Sequence, residues 1–378
     1  MPYTQLNNLD FTEIKEALKD YMRAQSDFTD YDFEASALSQ LLDVLAYNTY
    51  YTAFNTNMVV NEMFLDSATL RDNVVALAKQ LGYSPKSVTA PVAVVNFDIS
   101  FPGLAPASVI FKAGTGFVTN YDNILYRYVL KEDRKVEVAN GVAAFTDVEL
   151  YEGSLVTTRT PVSSALKDQR FKIENASVDL NTLIIRIFES NTSSVFTEYK
   201  KSSSILDIGA EDKIYFVNET EDENYEIFFG DGVLGKKLED GQVVEMTYIS
   251  TRGADSNGAK SFTFNGRLQD ENETPLTISF TPQNITTVAK SSGGAEIESI
   301  AKIKYNAPKF YASQNRAVTA NDFKAIVRNL YPSISDIIVF GGEDQVPPAY
   351  GKVFIAIKPT EANTLSSFTK NSLTEELK

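Results

Sequence analysis

The chain has 378 residues, and its 50 acidic and 35 basic side chains give a formal charge of −15. This balance argues against a nucleic-acid-binding protein, which carries a basic surface, and against docking on an anionic membrane. The absence of histidine and cysteine excludes triads that need His, disulfides and zinc sites with nitrogen or sulfur ligands. No cofactor or metal is therefore expected.

Residues 1–90 are predicted to form three helices. Asp10 is a typical helix N-cap, and a second helix of about 30 residues is predicted from its apolar spacing to begin near Glu34. A third helix is predicted to begin near Ser67 and to end at Gly82. We interpret this part as an N-terminal helical segment that forms a bundle.

The second helix is apolar around most of its circumference. Such a helix must be buried, and three helices alone offer too little surface to bury it, which favours an intermolecular bundle. Packing within the chain, or a platform on which sugars or bases stack, are the alternative interpretations of its aromatic residues. The residues predicted to form the bundle interface are Leu38, Leu41, Leu42, Leu45, Tyr47 and Tyr51.

Residues 91–290 contain short runs of β-branched and aromatic residues that alternate with turn residues. Turn pairs such as Asn140-Gly141 and Asp240-Gly241 separate these runs. Short strands at this spacing predict a central all-β, sandwich-like region rather than βαβ units.

Residues 291–378 are predicted to form an α+β domain that opens with a flexible join at Ser291–Gly294. One helix is expected to stop before Pro308, and Thr319 is expected to cap a second helix, which two strands follow. A helical pattern from Asn371 reaches the last residue without a stop signal, so we expect the sequence to end inside a longer protein. The predicted fold class is multidomain α+β.

The sequence Gly230-Asp231-Gly232-Val233-Leu234-Gly235-Lys236-Lys237 fits the G-x-x-x-x-G-K pattern of a phosphate-binding loop. Such a loop needs Ser or Thr after the lysine and a helix whose N-terminus binds the phosphates. Here Lys237 follows the lysine, and another turn and a strand pattern come next. Gly230, Gly232 and Gly235 are therefore predicted to permit a tight turn and a bulge between strands.

Acidic clusters are the remaining candidates for chemistry. The densest, between Glu219 and Glu226, does not match the calcium-loop pattern and is predicted to be a solvated loop. A cell-wall hydrolase would need two carboxylates facing each other across a cleft, and the sequence nominates no particular pair. No catalytic residue is predicted, and the hydrolase remains an alternative.

Three segments resemble the baseplate J-like family of phage tail proteins, and specifically the large baseplate wedge subunit of contractile-tailed phages. They cover residues 33–87, 229–258 and 291–359, in the family order, and the second contains the sequence FGDGVLGKK. The segment from Asn315 to Thr319 also matches the family motif. For Arg316 and Thr319 in this segment, we expect a role in maintaining the fold, with a direct partner contact as the alternative.

The resemblance implies a structural subunit of the virion. It implies a homodimer that joins other wedge proteins, with contacts to the sheath initiator and to neighbouring wedges around a central hub. Rearrangement of these interfaces would release sheath contraction. Neither nucleic acid nor a membrane is expected as a partner. The alternative is a receptor- or glycan-binding tail module that uses the β region.

Overall fold

The structure is a computed structural model of the whole chain. It describes residues 10–25, 36–101, 105–163, 165–166, 168–202, 208–220, 223–270, 274–276, 282–313, 316–331, 334–359, 370, 373–374 and 377. The chain divides into two compact units. One unit comprises Met1–Leu81 with Ile300–Lys304, and the other comprises Gly82–Ser299 with Tyr305–Lys378.

The helices are α1 (Phe11–Arg23), α2 (Ala37–Glu62), α3 (Arg71–Gln80), α4 (Ile300–Ser313) and α5 (Ala320–Leu330). The strands of the first half of the β region are β1 (Val92–Ser100), β2 (Ser108–Phe111), β3 (Gly116–Tyr121), β4 (Ile124–Val129), β5 (Arg134–Glu137), β6 (Val142–Glu152), β7 (Ser154–Pro161), β8 (Phe171–Ile173) and β9 (Val178–Phe188). The later strands are β10 (Phe196–Lys201), β11 (Ile214–Glu219), β12 (Tyr225–Phe229), β13 (Val243–Ser250), β14 (Thr263–Phe264), β15 (Gln269–Asp270), β16 (Gln283–Ser292), β17 (Ile334–Gly341) and β18 (Val353–Pro359).

The helical unit begins with α1, whose N-terminus is capped by the Asp10 carboxylate through the amides of Thr12 and Glu13. α1 packs against α2, and Lys15 of α1 forms an ion pair with Asp43 of α2. The structure confirms the three predicted helices.

The start of α3 differs from the prediction. The helix begins at Arg71 rather than near Ser67, and its N-cap position, Leu70, has no capping side chain. The carboxylate of Glu62 instead accepts hydrogen bonds from the amides of Thr69 and Leu70. A side chain from the end of α2 thus supplies the acceptor that sequence reasoning assigned to a local serine.

The predicted β region consists of two modules with separate cores. The first β module contains a six-stranded sheet in the order β14-β3-β4-β6-β1-β16 and a three-stranded sheet in the order β15-β2-β5. Alternate residues of β1, including Val95, Phe97 and Ile99, point into its core. There the ring of Phe97 lies 5.0 Å from that of Phe145, and Phe111 meets Phe145 edge-on at 4.7 Å.

The second β module is a seven-stranded sheet in the order β7-β13-β9-β10-β11-β12-β8. Strand β13, which lies between β7 and β9, is buried almost throughout. The pairing of β10 with β11 is parallel, whereas the other pairs in this sheet are antiparallel. Ile185, Ile227 and Met246 are among the buried residues of its core.

At the C-terminal end, β17 and β18 form an antiparallel pair that α5 covers on one face. Val327 of α5 is buried against Ile337 and Val339 of β17. Within the described residues, the predicted multidomain α+β architecture is therefore confirmed.

Two predictions for this region are wrong. The segment Ser291–Gly294 is not a flexible join, because Ser291 belongs to β16 and is fully buried, and Gly294 exchanges two hydrogen bonds with the Asn257 side chain. α4 does not stop before Pro308 but runs through it to Ser313. Burial of Ile303 and Ala307 on one face of α4 offsets the cost of a proline inside a helix. The helical pattern predicted from Asn371 lies largely outside the described residues.

Candidate assembly surface

α2 uses both of its charged side chains within the helical unit. Of its 26 residues, Asp43 and Glu62 are the two that carry charge. Asp43 pairs with Lys15, and the Glu62 carboxylate also accepts from the Thr69 hydroxyl and the Asn73 amide. The stretch of α2 between Asp43 and Glu62 therefore has no charged side chain on any face.

Burial opposes ionisation of Glu62, but its hydrogen bonds from Thr69, Asn73 and Leu70 outweigh that effect. Together they lower the pKa of this carboxyl to about 2. Glu62 is therefore ionised at neutral pH and acts as the acceptor for the start of α3.

One face of α2 is buried and is built largely from small and polar residues. Its N-terminus is capped by Ser36, whose hydroxyl accepts from the Ser39 amide at 3.0 Å. The buried residues recur at steps of three, four or seven positions, as one face of a helix requires, and they are Ser39, Leu42, Ala46, Ala53, Asn57 and Asn61.

A different face of α2 carries large apolar side chains that are exposed. These residues follow one another at steps of three, four, three and four positions, which is the a/d spacing of a coiled-coil seam. We call this set the outer seam, and it consists of Val44 (65% exposed), Tyr47 (61%), Tyr51 (54%), Phe54 (43%) and Met58 (43%).

Hydroxyl groups close to the row of Leu41 and Leu45 form hydrogen bonds within the helix. The hydroxyls of Thr49, Thr52 and Thr56 donate to the carbonyls four residues earlier, at 2.8–2.9 Å. Each of these hydroxyls has therefore satisfied its donor without water. This arrangement lowers the cost of covering the helix with another protein surface.

The predicted interface residues lie on different faces of α2. Tyr47 and Tyr51 belong to the outer seam. Leu41 and Leu45 are also exposed, on a neighbouring row, whereas Leu42 is buried at 4% exposure and Leu38 is half-buried. The predicted set omitted Val44, Phe54 and Met58, which the regular three-four spacing would have identified.

The glycine-rich motif lies in the loop between β12 and β13, and no helix follows it. Gly232 and Gly235 have φ angles of +94° and +86°, and the Gly232 amide donates to the Gly235 carbonyl at 3.0 Å. The Asp231 carboxylate accepts from the amides of Val233 and Leu234. The motif is therefore a tight turn, as the sequence predicted, and lacks the helix N-terminus of a phosphate-binding loop.

Gly230 is needed for close approach of the chain to itself. A Cβ atom on this residue would lie 2.2 Å from the carbonyl carbon and oxygen of Gly235. The two ends of the loop touch at this point.

Thr319 caps α5, as predicted. Its hydroxyl accepts from the Asp322 amide, and the Asp322 carboxylate accepts from the Thr319 amide, so the two residues form a capping box. Arg316 is exposed in the segment that precedes the helix.

The larger unit contains a cavity of about 1400 Å³. Three buried or half-buried carboxyl groups line it. Glu245 pairs with Arg159, and the other two, Asp179 and Glu149, accept hydrogen bonds from the protein. Burial raises the pKa of Asp179 to about 6, and hydrogen bonds from the Ala90 and Asn181 amides partly oppose that rise. Through these bonds the Asp179 carboxyl fixes the backbone at Ala90 and Asn181, and the Glu149 carboxyl fixes the Tyr151 side chain.

Within the described part of the chain, no three acidic side chains cluster closely enough to hold a metal ion. Among the helices described, none is both long and apolar enough to cross a membrane.

Three regions of the chain match domain families of one phage protein. Residues 10–83 match the helical domain of the gp6-like baseplate wedge protein, and residues 159–255 match the third domain of the bacteriophage baseplate wedge protein gp6. Residues 319–378 match C-terminal domain I of the baseplate structural protein gp6. The matched regions include α2, most of the second β module, and the α5–β18 domain.

A relative matches nearly the whole chain. The chain is 28% identical over 392 aligned positions to the baseplate wedge protein gp6 of Enterobacteria phage T4, and the alignment covers 97% of this chain. The chain spans 56% of the length of that relative.

Two solved structures are similar over much of the chain but superpose poorly. A chain of the anti-feeding prophage baseplate is 12% identical with a TM-score of 0.31, covering 99% of this chain and 77% of that one. A chain of the type VI secretion TssK-TssF-TssG baseplate subcomplex is 8% identical with a TM-score of 0.36, covering 84% and 88%.

The three domain matches follow one another along the chain in the same order as the segments that resemble a wedge subunit. The alignment with the T4 protein covers 97% of the chain. The chain therefore resembles gp6 baseplate wedge proteins along nearly its whole length, and it is a structural component of a phage tail baseplate.

Proposed function

We propose that the chain is a non-catalytic scaffold of the baseplate wedge that assembles through the outer seam of α2. The observation that carries the proposal is the three-four spacing of five exposed apolar side chains on a helix with no charge between Asp43 and Glu62. Apolar side chains at this spacing are what a second helix needs in order to pack along the first.

Charge supports self-association through this particular face. A chain of net charge −15 repels a second copy of itself over most of its surface. The outer seam is free of charge, so two such faces approach without bringing like charges together. We propose that the first assembled species is a homodimer in which the α2 helices pack side by side.

The same helices would then accept a helix from a different wedge protein. Large aromatic residues occupy consecutive positions of the outer seam, and the neighbouring row of Leu41 and Leu45 remains exposed. Two helices in contact leave such a second row uncovered, whereas a bundle of three or more buries it. Contacts with the sheath initiator and with neighbouring wedges would follow once this bundle has formed.

In this proposal the wedge works mechanically. Its interfaces would adopt one packing before host contact and another afterwards, and the exchange between discrete arrangements would trigger sheath contraction. The resemblance to the baseplate J-like family supports the same role.

Sedimentation velocity of the full chain tests the proposal. The variant Tyr51→Glu/Phe54→Glu places two charges on the outer seam and should raise the dimer dissociation constant at least about 100-fold, equivalent to about 2.7 kcal/mol. The matched control, Thr52→Glu/Thr56→Glu, adds the same charge to α2 off the seam and should remain dimeric. Equal sedimentation of the two variants would contradict the proposal.

A further inference from the structure

The second inference concerns the junction between the two β modules, which lies within the larger unit. The chain passes from the first module to the second between β6 and β7, and it returns after β13. A small apolar cluster marks this place, in which Ala90, Val129 and Ile249 are buried against Tyr151 and Leu155. An apolar cluster with only three buried residues would by itself allow the modules to tilt. The polar contacts that surround the cluster are more extensive than the cluster itself.

Glu152 connects the two modules through a buried carboxylate. It is the last residue of β6, and its Oε2 atom accepts from the Thr251 hydroxyl at 2.6 Å and from the Arg252 amide at 2.9 Å. Thr251 and Arg252 follow directly after β13 of the second module. Both Glu152 and Thr251 are buried, so water does not compete for these bonds.

The segment that leads into β1 makes a second connection. The Ala90 amide donates to the carboxylate of Asp179 in β9 at 2.9 Å, and the Leu180 amide donates to the Ser87 hydroxyl at 3.0 Å. Asp179 and Ser87 are both buried. These two bonds attach the second module to the first residues of the first module.

The segment between β13 and β14, through which the chain returns from the second module, is fixed to the first module. The Asn257 side chain donates to the Gly294 carbonyl at 2.9 Å and accepts from the Gly294 amide at 3.0 Å. One residue earlier, the hydroxyl of Ser256 lies 2.8 Å from the Tyr128 hydroxyl, which donates to Ser291 at 2.7 Å. All of these donors and acceptors lie in the buried interior of the junction.

The backbone at the crossing point leaves no space for side chains. Gly153, between β6 and β7, has a φ of +122°, and a Cβ atom there would lie 2.1 Å from the Ser250 carbonyl oxygen. A Cβ atom on Gly294 would lie 2.4 Å from the ring of Pro91. The two glycines allow the segments to touch at the crossing point.

We propose that these contacts form a junction network that holds the two β modules as one rigid body. The network consists of Ser87, Tyr128, Glu152, Asp179, Thr251, Ser256, Asn257 and Ser291. Under the proposed function, on which this part of the inference rests, rearrangement of the wedge leaves the angle between the modules unchanged. Movement takes place at contacts outside the network. The two modules move together as one rigid body and pass the displacement of one neighbouring subunit on to the next.

The sequence contains no cysteine, so spin labels attach only at introduced cysteines. Distances between two labels can then be measured by double electron–electron resonance. Spin labels at Glu137→Cys in β5 and Val195→Cys before β10 report on the two modules, because both positions are exposed. The labelled full chain is diluted with an excess of unlabelled chain, so that distances between copies do not contribute. A control pair within the first module, Glu137→Cys with Leu125→Cys, gives the width of the distance distribution that the flexibility of the label linkers alone produces.

We expect a single distance distribution between the modules that is no broader than that of the control pair. The variant Glu152→Gln/Asn257→Ala should broaden it. If this variant does not fold, Thr251→Val removes one bond of the network and should broaden the distribution to a smaller extent.

A broad or multiple distribution in the unaltered junction would overturn the rigid-body proposal. A distribution that stays narrow in a folded variant would show that the named residues do not hold the modules. Both results are independent of α2, so the outer-seam proposal stands or falls separately.

Discussion

Tyr47 and Tyr51 stack one turn apart on the outer face of α2, with their ring centroids 6.4 Å apart and their planes inclined by 19°. Both rings are more than half exposed, although tyrosine is usually at least half buried in a folded domain. The stacked pair forms the centre of the outer seam. Under the proposed function, this exposed pair packs against another helix.

The exposed row of Leu41 and Leu45 distinguishes a two-helix packing from a larger bundle. Changing both residues to aspartate should abolish bundle assembly with other wedge proteins while the β region stays folded. A carboxylate in an apolar interface lacks a partner, and its burial is expected to cost several kcal/mol. Co-purification of the double variant with its partners would contradict this prediction. The far-ultraviolet circular dichroism signal of β-sheet serves as the control for folding.

Glu62 should make the helical unit sensitive to acid. Its pKa is about 2 in the folded chain against an ordinary value of 4.5, so the ionised form stabilises folding above pH 4.5. This contribution should disappear as the pH falls from 4.5 towards 2. Glu62→Gln should cost about 1 kcal/mol at neutral pH and should flatten the acid dependence.

Hydrogen exchange of the α3 amides across this pH range measures the effect of Glu62. The neighbouring exposed carboxyl of Asp66 provides the control, because Asp66→Asn leaves the hydrogen bonds to Thr69 and Leu70 intact. Identical pH profiles for the unaltered chain and Glu62→Gln would refute the capping role.

The helix boundaries show what could and could not be predicted from the sequence. α1 and α5 follow from local signals, because Asp10 and Thr319 cap the helices that they precede. α2 begins at Ala37 after the Ser36 cap, about three residues later than the start predicted from apolar spacing alone. The start of α3 could not be predicted locally. Its acceptor, Glu62, comes from the preceding helix and is recognisable only when the chain has folded back.

The β region shows a similar limit. The strands could be predicted from their composition and turns, but their partners could not. β1 pairs with β16, and Asn96 lies opposite Thr286, so the separation into two modules depends on contacts between distant segments. The buried face of α2 was hidden for a related reason. Its residues are mostly small or polar, whereas the large apolar side chains are exposed, so apolar content does not identify the covered face.

Tyr83 should contribute measurably to the stability of the larger unit. Its buried hydroxyl donates to Glu298 at 2.7 Å, and Glu298 also accepts from the Asn306 side chain and the Lys86 amide. Burial, followed by the adjacent Glu298 carboxylate, raises the pKa of Tyr83 well above its usual range. Tyr83→Phe should therefore lower the free energy of unfolding by about 1–2 kcal/mol.

Urea denaturation followed by tyrosine fluorescence provides that value. Tyr350→Phe, at a tyrosine that is 79% exposed, is the matched control and should leave the free energy of unfolding unchanged. A loss of the same size in both variants would mean that the Tyr83–Glu298 bond contributes nothing specific.

Two glycines in the loop between β12 and β13 have different roles. Gly230 allows a close contact of the chain with itself, whereas Gly241 adopts a positive φ in open space. Gly230→Ala would force a Cβ atom to within 2.2 Å of Gly235, and we expect it to destabilise the chain by about 3 kcal/mol through overpacking. Gly241→Ala meets open space and carries only the cost of its φ of +83°, about 1 kcal/mol. Thermal unfolding of both variants should rank Gly230→Ala as the less stable, and the reverse order would contradict the predicted turn geometry.

Native mass spectrometry of the full chain, alone and co-expressed with other baseplate proteins of its phage, tests the central claim most directly. The account predicts a homodimer that also captures a different wedge protein. It predicts that Tyr51→Glu/Phe54→Glu loses both species, whereas Thr52→Glu/Thr56→Glu, which leaves the outer seam unchanged, retains the homodimer. A monomer that captures no wedge protein, or a complex that persists unchanged in the outer-seam variant, would contradict assembly through α2.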